Sequence, residues 1–409
     1  MIIWGKEKKQ DLILKIILFM ISPFIAFLYA LRRINTKSSY VVFFLTSIFF
    51  GMAFTVATGK GGLDPGYDGE FYRQKFEFYQ FVSNWEFIEG LKKFLIFDDG
   101  KKDYYFDTVA FYLSRMTDNY HVMFTVFAIV FAYFALKTFR FLTSEEKFDV
   151  SLSSFILAYF FMSNQIFNIN GMRFWTAAWI ATYCIFQIYR NGNNKYFLLA
   201  LITPFFHGTY WIFIGVLLIA RFFRRYENIW TYLFFISFFI SSLSVEIIQL
   251  IQPYLPTFLS RSVDSYTNSE YIELRQSWSG FGFIPLIFSK IKLTYLGVMV
   301  FLFYKHSSEI KKNPKTKDLY LFLLVWVSIF NFLMFVPSLG GRFIVLSYPI
   351  MAYIWLVSFK GVRYNLFLMF FPLVFFWEIL TQVLKYKNVT SLDFYFANPF
   401  YLIYKYLLS

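Results

Sequence analysis

Two polar islands interrupt the apolar and aromatic sequence between residues 168 and 211. The first is NGMR, which ends at Arg173, and the second is FHG, which is centred on His207. A guanidinium at the mouth of an apolar helix is costly in lipid without a polar partner, and an imidazole can titrate near neutral pH. We therefore predict that both side chains lie on the floor of a polar cavity. The alternative is that Arg173 snorkels to the headgroups and His207 packs between helices.

A further arginine, Arg342, also comes shortly after glycine, at the start of a later apolar run. A guanidinium can bind two phosphate oxygens at once, so Arg173 and Arg342 are candidate ligands for a lipid pyrophosphate at the membrane surface. His207 could polarise the leaving phosphate or hold a proton. Together the three residues predict a pyrophosphate-binding site.

Carboxylates accompany these cations in two stretches. Asp64, Asp68 and Glu70 lie in the turn-rich segment GKGGLDPGYDGEFY, where an acid could act as a general base or bind sugar hydroxyls. The alternative for these three is a solvated surface loop. Asp107 stands at the head of an apolar helix, either as a catalytic or sugar-binding carboxylate or as a helix cap.

The loop at residues 252–282 mixes acids, arginines and aromatics, among them Arg275 and Trp278. Such a mixture suits sugar rings, which offer apolar faces and many hydroxyls, and an ordinary exposed loop explains it equally well. No metal-binding triplet with clear spacing stands out, because Asp98 and Asp99 are adjacent and indicate a charged turn. We therefore expect neither a metal nor a cofactor.

The composition predicts the elements that hold these residues. Of 409 residues, 58% are hydrophobic and 16% charged, whereas soluble domains are about a quarter charged. The net charge is +14, and the lysines and arginines lie in short loops between apolar runs. This distribution indicates the positive-inside pattern and no nucleic-acid partner. The runs predict an all-α, polytopic membrane protein with about eleven segments, at residues 12–31, 40–58, 120–141, 151–168, 173–189, 196–220, 229–251, 283–304, 318–336, 343–359 and 364–384.

Segment 196–220 has basic residues at both ends and is broken near its middle by Pro204 and His207. We predict that it is re-entrant, entering and leaving on one face as two half-helices with His207 at the deep tip. The chain then forms one domain, 1–409, with outer loops at about 59–119 and 252–282. This topology places Arg173 and Arg342 on the same face of the membrane.

Five short motifs follow one another along the chain: GYDGEFY, FDTVAFYLSRMTDNYHVMF, NGMRFWTAAWI, PFFHGTYWIF and LGGRFIVLSYP. In this order they resemble the EpsG family and, more broadly, the Wzy-type polysaccharide polymerases. The resemblance covers most of residues 12–384. The chain departs from it at Asp107, where members often have glutamate. The resemblance implies a multi-pass, glycosyltransferase C-like bundle in the cell inner membrane.

The resemblance also implies an activity, the joining of repeat units carried on undecaprenyl pyrophosphate at the outer side of the membrane. A hydroxyl of the incoming lipid-linked unit attacks the growing chain, which leaves its lipid pyrophosphate. Arg173, Arg342 and His207 would stabilise the departing group, and Asp68 or Asp107 would take the proton. The implied partners are the lipid-linked donor and acceptor glycans, membrane lipid and a chain-length regulator.

Two other classes of function fit the same residues. A flippase or exporter of lipid-linked oligosaccharides predicts repeated spans, and no repeat is visible in the sequence. A membrane O-acyltransferase acting on surface polysaccharide, or a lipid-phosphate sugar transferase, would also place histidine, arginine and acids at a membrane face. Product analysis separates these classes, because glycan length reports polymerisation and acetyl content reports acyl transfer.

Overall fold

The structure, a computed structural model, describes residues 4–56, 68–98, 102–240, 247, 250–254, 284–335, 339–359 and 362–408. This part of the chain is helical, and its β-type pairing is limited to an isolated bridge between Phe54 and Thr390. The predicted all-α class is therefore confirmed. The candidate sugar ligands Asp64 and Arg275 lie outside the described residues.

The helices of the described part are numbered in chain order. They are α1 (Lys9–Ile21), α2 (Pro23–Ala30), α3 (Lys37–Met52), α4 (Asp68–Tyr79), α5 (Asn84–Leu95), α6 (Tyr105–Ser114), α7 (Tyr120–Thr143), α8 (Leu152–Phe161), α9 (Met172–Ile185), α10 (Tyr196–Ala200), α11 (Thr203–Phe206), α12 (Tyr210–Phe223), α13 (Glu227–Ile240), α14 (Ile284–Lys305), α15 (Ser307–Lys312), α16 (Pro314–Phe332), α17 (Gly340–Ile344), α18 (Ser347–Ser358), α19 (Val362–Met369), α20 (Phe371–Val374), α21 (Phe376–Val389), α22 (Leu392–Phe396) and α23 (Pro399–Ile403). A 3₁₀ turn (Ile166–Gly171) precedes α9, and a π-helical turn (Phe186–Arg190) extends it.

Four helical stretches of the described part are long and apolar enough to cross a membrane: Tyr120–Thr143, Leu152–Arg190, Ile287–Lys305 and Gly340–Ser358. A fifth is possible if the bent pair Tyr364–Val374 and Phe376–Val389 counts as one span. The predicted count of about eleven spans is not confirmed. Several predicted segments form helices that are too short or too broken, because polar residues, glycine and proline interrupt the apolar runs.

The break between α1 and α2 shows this effect for predicted segment 12–31. Ser22 takes an extended conformation, with φ −159° and ψ 126°, and Pro23 begins the next helix. The Ser22 hydroxyl accepts a hydrogen bond from the Ile25 N–H at 3.3 Å and donates to the Tyr395 carbonyl at 2.9 Å. The cap and the proline together end one helix and begin the next, so a single predicted span becomes two helices.

Large apolar side chains occupy both the interior and the outer surface of the bundle. Trp179, Trp326 and Trp355 are fully buried, whereas Phe222 and Phe301 are exposed on α12 and α14. An outer surface of this kind is favourable against acyl chains and unfavourable in water. The apolar helices are those of a multi-pass membrane protein.

Three helices connect two polar ends of the bundle. Arg173 lies at the start of α9, and Arg190 lies at the end of its π-helical extension. α16 begins near Lys315 and α18 ends near Val357, and both residues line a cavity together with Arg190. We call this end of the bundle the distal end. The other end carries Arg173 and the candidate active site.

A buried carboxylate, Glu145, holds the distal end together. Its oxygens accept hydrogen bonds from Arg190 Nη2 at 2.5 Å, Lys315 Nζ at 2.9 Å and the Tyr353 hydroxyl at 2.7 Å. Burial acts to raise the pKa of Glu145, but these three donors outweigh it and hold the pKa below the ordinary value of 4.5. The three partners come from different parts of the chain, so Glu145 links helices that are distant in sequence.

We expect Glu145→Gln to destabilise the protein by about 2–3 kcal/mol at neutral pH, because Arg190 would be left near the interior without its anion. A group with a depressed pKa in the folded state contributes stability above its unfolded-state pKa, and that contribution is lost as pH falls. The wild type should therefore lose stability below about pH 4.5 more steeply than Glu145→Gln. Thermal unfolding in detergent across this pH range measures both effects. Equal unfolding midpoints at neutral pH would contradict the assignment.

Candidate active site

Arg173 is fixed by two residues from earlier parts of the chain. Its Nη1 donates to both carboxylate oxygens of Asp103, at 3.1 and 3.2 Å, and its Nε donates to the Tyr72 hydroxyl at 3.0 Å. The Arg173 side chain is 33% exposed, and its Nη2 makes no hydrogen bond within the described part of the chain. The Nε and Nη1 atoms of the guanidinium are therefore anchored, while Nη2 remains available to a substrate.

The partners of Arg173 are buried polar groups. The Asp103 side chain is only 6% exposed, and burial raises its pKa, while the Arg173 charge opposes that rise. Burial also raises the pKa of Tyr72 to about 12, so its hydroxyl keeps its proton at neutral pH. Such a pair fixes the guanidinium in position, because moving it away would leave Asp103 buried without a cation.

His207 lies at the break between α11 and α12, in an extended conformation with φ −156°. The Thr209 backbone N–H donates to its Nδ1 at 3.3 Å, and the Thr209 hydroxyl lies 2.8 Å from the same atom. Because a backbone N–H can only donate, Nδ1 must accept, and the ring proton belongs on Nε2. His207 therefore offers Nε2–H as a hydrogen-bond donor.

The α10–α12 segment reverses direction at His207. Upstream, the Tyr196 ring contacts Tyr183, which lies well along α9 from Arg173, with 5.5 Å between centroids. At the break, the His207 ring is 5.4 Å from Phe174 at the start of α9. Downstream, the Leu217 carbonyl accepts from the Tyr189 hydroxyl at 3.4 Å, again near the distal end. His207 thus lies at the turn of a helical hairpin, beside the end of α9 that carries Arg173.

Arg342 is the third predicted cation, and it contacts the same phenylalanine as His207. Its guanidinium carbon lies 5.5 Å from the Phe174 ring centroid. Within the described residues Arg342 makes no hydrogen bond or ion pair, and its side chain is half-buried. The charges of Arg173, Arg342 and Lys102 all act on the His207 imidazole. The three residues predicted from sequence are therefore brought together around Phe174.

Aromatic packing holds this group rigid. The Phe174 ring packs against Phe343 and Tyr210, at centroid distances of 5.3 and 5.2 Å. The Tyr210 hydroxyl donates to the Phe174 carbonyl at 3.0 Å, and Trp326 Nε1 donates to the Phe343 carbonyl at 2.9 Å. These contacts tie the helices that carry Arg173, His207 and Arg342 into one unit.

The segment that carries Asp103 packs directly on the His207 turn. The Tyr104 N–H donates to the Phe205 carbonyl at 2.9 Å. Gly208 is needed here, because a Cβ at this position would lie 2.6 Å from the Lys102 carbonyl oxygen. The close backbone approach places Asp103 and His207 on the same side of the bundle.

The two candidate bases have different environments. Asp68 is exposed at the start of α4 and makes no hydrogen bond or ion pair with the described residues. Its Oδ2 lies 3.5 Å from where a Cβ on Gly171 would be, and the adjacent Gly69 N–H donates to the Asn170 side chain at 3.1 Å. Asp68 is therefore accessible and lies beside the turn that leads into Arg173.

Asp107 is buried in the first turn of α6, with a side chain only 4% exposed. It accepts from Lys75 Nζ at 3.0 Å and from the Tyr79 hydroxyl. Glu70 is held on α4 by Arg73, whose Nη2 lies 2.6 Å from its Oε1, and this hydrogen bond lowers the pKa of Glu70. Both acids are thus engaged in ion pairs. No group of three or more His, Cys, Asp or Glu in the described part could hold a metal ion.

Several residues of this end were not singled out from the sequence as site residues. Asp103 and Tyr72 hold Arg173, Lys102 lies beside His207, and Lys385 on α21 is within electrostatic range of Arg342. Asp103 did carry a signal, because it lies four residues before Asp107 in a segment already rich in charge. Lys385 carried none, since a single lysine near the end of an apolar run reads as a membrane-interface residue.

The sequence model of one family matches residues 39–391, which is most of the chain. The chain belongs to the EpsG family. The EpsG family is associated with Wzy-like polysaccharide polymerases, so the resemblance seen in the sequence motifs is confirmed. The matched region includes all the candidate residues of this EpsG family protein. No curated protein matches the chain, and neither does any solved structure.

Proposed function

We propose that this chain is a polysaccharide polymerase that joins oligosaccharide repeat units carried on undecaprenyl pyrophosphate. The observation that carries the proposal is the grouping of Arg173, Arg342 and His207 around Phe174, with the accessible carboxylate of Asp68 nearby. A pyrophosphate leaving group needs several fixed donors, and an attacking hydroxyl needs a base. Membership of the EpsG family supports the same reaction.

In the proposed reaction, a hydroxyl oxygen of the acceptor unit attacks the anomeric carbon of the growing chain. The bond from that carbon to the pyrophosphate oxygen breaks, and lipid pyrophosphate leaves with the electron pair. Arg173 Nη2 and the Arg342 guanidinium bind its oxygens, and His207 Nε2–H donates to it. Asp68 takes the proton of the acceptor hydroxyl.

The roles of the carboxylates follow from their environments. Asp68 is the proposed base because it is exposed and unpaired within the described residues, whereas Asp107 already neutralises Lys75. Asp64, Glu70 and Arg275 are proposed to contact sugar hydroxyls of the donor or acceptor. A chain-length regulator is a proposed protein partner.

We place the candidate active site at the outer face of the inner membrane. The distal end collects Lys137, Arg140, Lys147, Arg190 and Lys315, and such clusters favour the cytoplasmic side. The opposite end then faces outward, where lipid-linked units are joined. We also propose that further helices cross the membrane beside the four or five long ones, and that the bundle has a glycosyltransferase C-like arrangement.

Deletion of the gene, followed by sizing of the surface glycan on a gel, tests the function. We expect the ladder to collapse to a single repeat unit and to return on complementation. Loss of all surface glycan would instead indicate a flippase or exporter. A normal ladder that lacks acetyl groups would indicate an O-acyltransferase, and either result would overturn the proposal.

The role of His207 is tested by His207→Ala, with His306→Ala as the matched control. His306 packs near Phe359 and Tyr364, and Phe359 directly follows α18 at the distal end, away from the proposed chemistry. Loss of the Nε2–H donor should slow polymerisation by about 10²-fold. The rate of chain extension in membranes from complemented deletion strains measures the effect. Equal rates in the two variants would remove His207 from the mechanism.

A further inference from the structure

The distal end of the bundle contains a polar cavity of about 650 Å³, which we call the distal cavity. Arg190, one of its lining residues, follows Arg173 by a helical length of about 25 Å, so the distal cavity is separate from the candidate active site. The lining of the distal cavity includes five cationic side chains, Lys137, Arg140, Lys147, Arg190 and Lys315, and two carboxylates, Glu145 and Glu146.

Three of the five cations already have partners. Arg190 and Lys315 bind Glu145, and Lys147 donates to the Val357 carbonyl. Lys137 is exposed, and its Nζ lies over the Tyr133 ring at 5.2 Å. Neither Lys137 nor Arg140 has a carboxylate partner within the described part of the chain. The positive charge of the distal cavity is therefore not balanced by its own acids.

Arg140 is the most unusual of these side chains. Its guanidinium stacks on Trp4, with 3.1 Å between the guanidinium carbon and the ring centroid. Both of its terminal nitrogens are buried, and neither has a hydrogen-bond acceptor among the described residues. Contact with the tryptophan ring stabilises the charge but supplies no acceptor for the N–H groups. An anion with several acceptor oxygens would satisfy these N–H groups and neutralise the guanidinium charge.

We propose that the distal cavity binds a phosphate group, carried either by the headgroup of an anionic lipid or by a soluble phosphate compound. A phosphate offers several acceptor oxygens and matches the geometry of guanidinium groups. Phe141, Tyr183 and Val357 add an apolar wall beside the cations, which suits the start of an acyl chain. Basic pockets between transmembrane helices commonly hold lipid headgroups in this way.

A bound phosphate would connect three helices at the distal end. Arg140 belongs to α7, Arg190 to the extension of α9, and Lys315 to α16. A ligand that contacts all three favours the folded state over the unfolded state, so binding should raise the unfolding temperature. The inference does not depend on the reaction carried out at the other end of the bundle.

Two binding measurements on the purified full chain separate the two sources of phosphate. Native mass spectrometry in detergent with equal phosphatidylglycerol and phosphatidylcholine reports the lipid arm. Thermal unfolding in phosphatidylcholine nanodiscs with added inorganic pyrophosphate reports the soluble arm. The variants are Lys137→Gln and Arg140→Gln, and the control is Arg225→Gln, an exposed arginine that hydrogen-bonds Tyr226 outside the distal cavity.

We expect the wild type and Arg225→Gln to bind at least one probe equally well, and Lys137→Gln and Arg140→Gln to bind it about tenfold more weakly. Lys137→Gln changes an exposed side chain, so it keeps the test valid if Arg140→Gln misfolds. Preference for phosphatidylglycerol that is weakened in Lys137→Gln identifies a lipid ligand of the distal cavity. A pyrophosphate-dependent shift that is weakened in the same variant identifies a soluble one, whereas a shift that Lys137→Gln leaves unchanged comes from the candidate active site. If neither probe binds, or if Lys137→Gln binds as tightly as Arg225→Gln, the proposal is overturned.

Discussion

Arg173→Gln is expected to stop polymerisation and leave single lipid-linked units, with chain extension reduced by about 10²-fold or more. The variant loses the Nη2 donor that would face the departing pyrophosphate, and one preorganised donor typically contributes about 10²–10³-fold to a rate. The variant also leaves Asp103 buried without its cation. Since burial raises the pKa of Asp103, that carboxyl should take up a proton once Arg173 is gone.

A double variant, Arg173→Gln with Asp103→Asn, separates catalysis from folding. If Arg173 serves only to neutralise Asp103, removing both charges restores extension. If Arg173 binds the leaving group, the double variant regains thermal stability but stays inactive, and this is the result we expect. Glycan sizing and thermal unfolding in detergent measure the two properties on the same preparation.

The matched control is Arg224→Gln. Arg224 is also a partly buried arginine, and its Nε donates to Asp318 at 3.3 Å, but it follows α12 and lies toward the distal end. Its loss should leave the glycan ladder unchanged. A full-length ladder in Arg173→Gln, or a ladder restored by the double variant, would contradict the assigned role.

Asp68→Asn should lose activity with little change in stability, whereas Asp107→Asn should lose stability with much less effect on activity. Asp68 is exposed and unpaired within the described residues, so Asp68→Asn should leave thermal stability nearly unchanged. Loss of a general base lowers a rate by about 10²–10⁴-fold, and the lipid-linked unit should accumulate. The same variant therefore serves as a test of chemistry with little effect on folding.

Asp107→Asn removes a buried carboxylate that binds Lys75 and Tyr79. Because Lys75 is partly exposed and can regain water, we expect a loss of about 2 kcal/mol in unfolding free energy, with extension reduced far less than in Asp68→Asn. Unfolding midpoints and extension rates measured on both variants show which of the two carboxylates acts as the base. A stable but inactive Asp107→Asn beside an active Asp68→Asn would transfer the role of base to Asp107.

The sequence predicted the grouping of cations because polar residues inside apolar runs are rare and costly. Arg173, His207 and Arg342 were visible for that reason alone, and the structure places them around Phe174. The reversal at His207 followed from the same kind of signal. Segment 196–220 has basic residues at both ends and a proline and a glycine near its middle, and this pattern does not fit one straight crossing.

The rest depended on pairings that a single sequence does not reveal. Asp103 and Tyr72 hold Arg173 from 70 and 101 residues away, and no local pattern marks such contacts. The span count failed for a related reason. An apolar run does not fix where a helix begins and ends, and a capping serine such as Ser22 divides one run into two helices.

The anchoring of Arg173 has a consequence for biosynthesis. Both of its anchors precede it in the chain, so Tyr72 and Asp103 have already left the ribosome when α9 enters the membrane. The arginine can therefore be neutralised at the moment of insertion and need not wait in lipid as a bare charge. Arg342, by contrast, is translated 169 residues later than Arg173. A nascent chain can thus be stably inserted long before it holds every cation proposed to bind pyrophosphate.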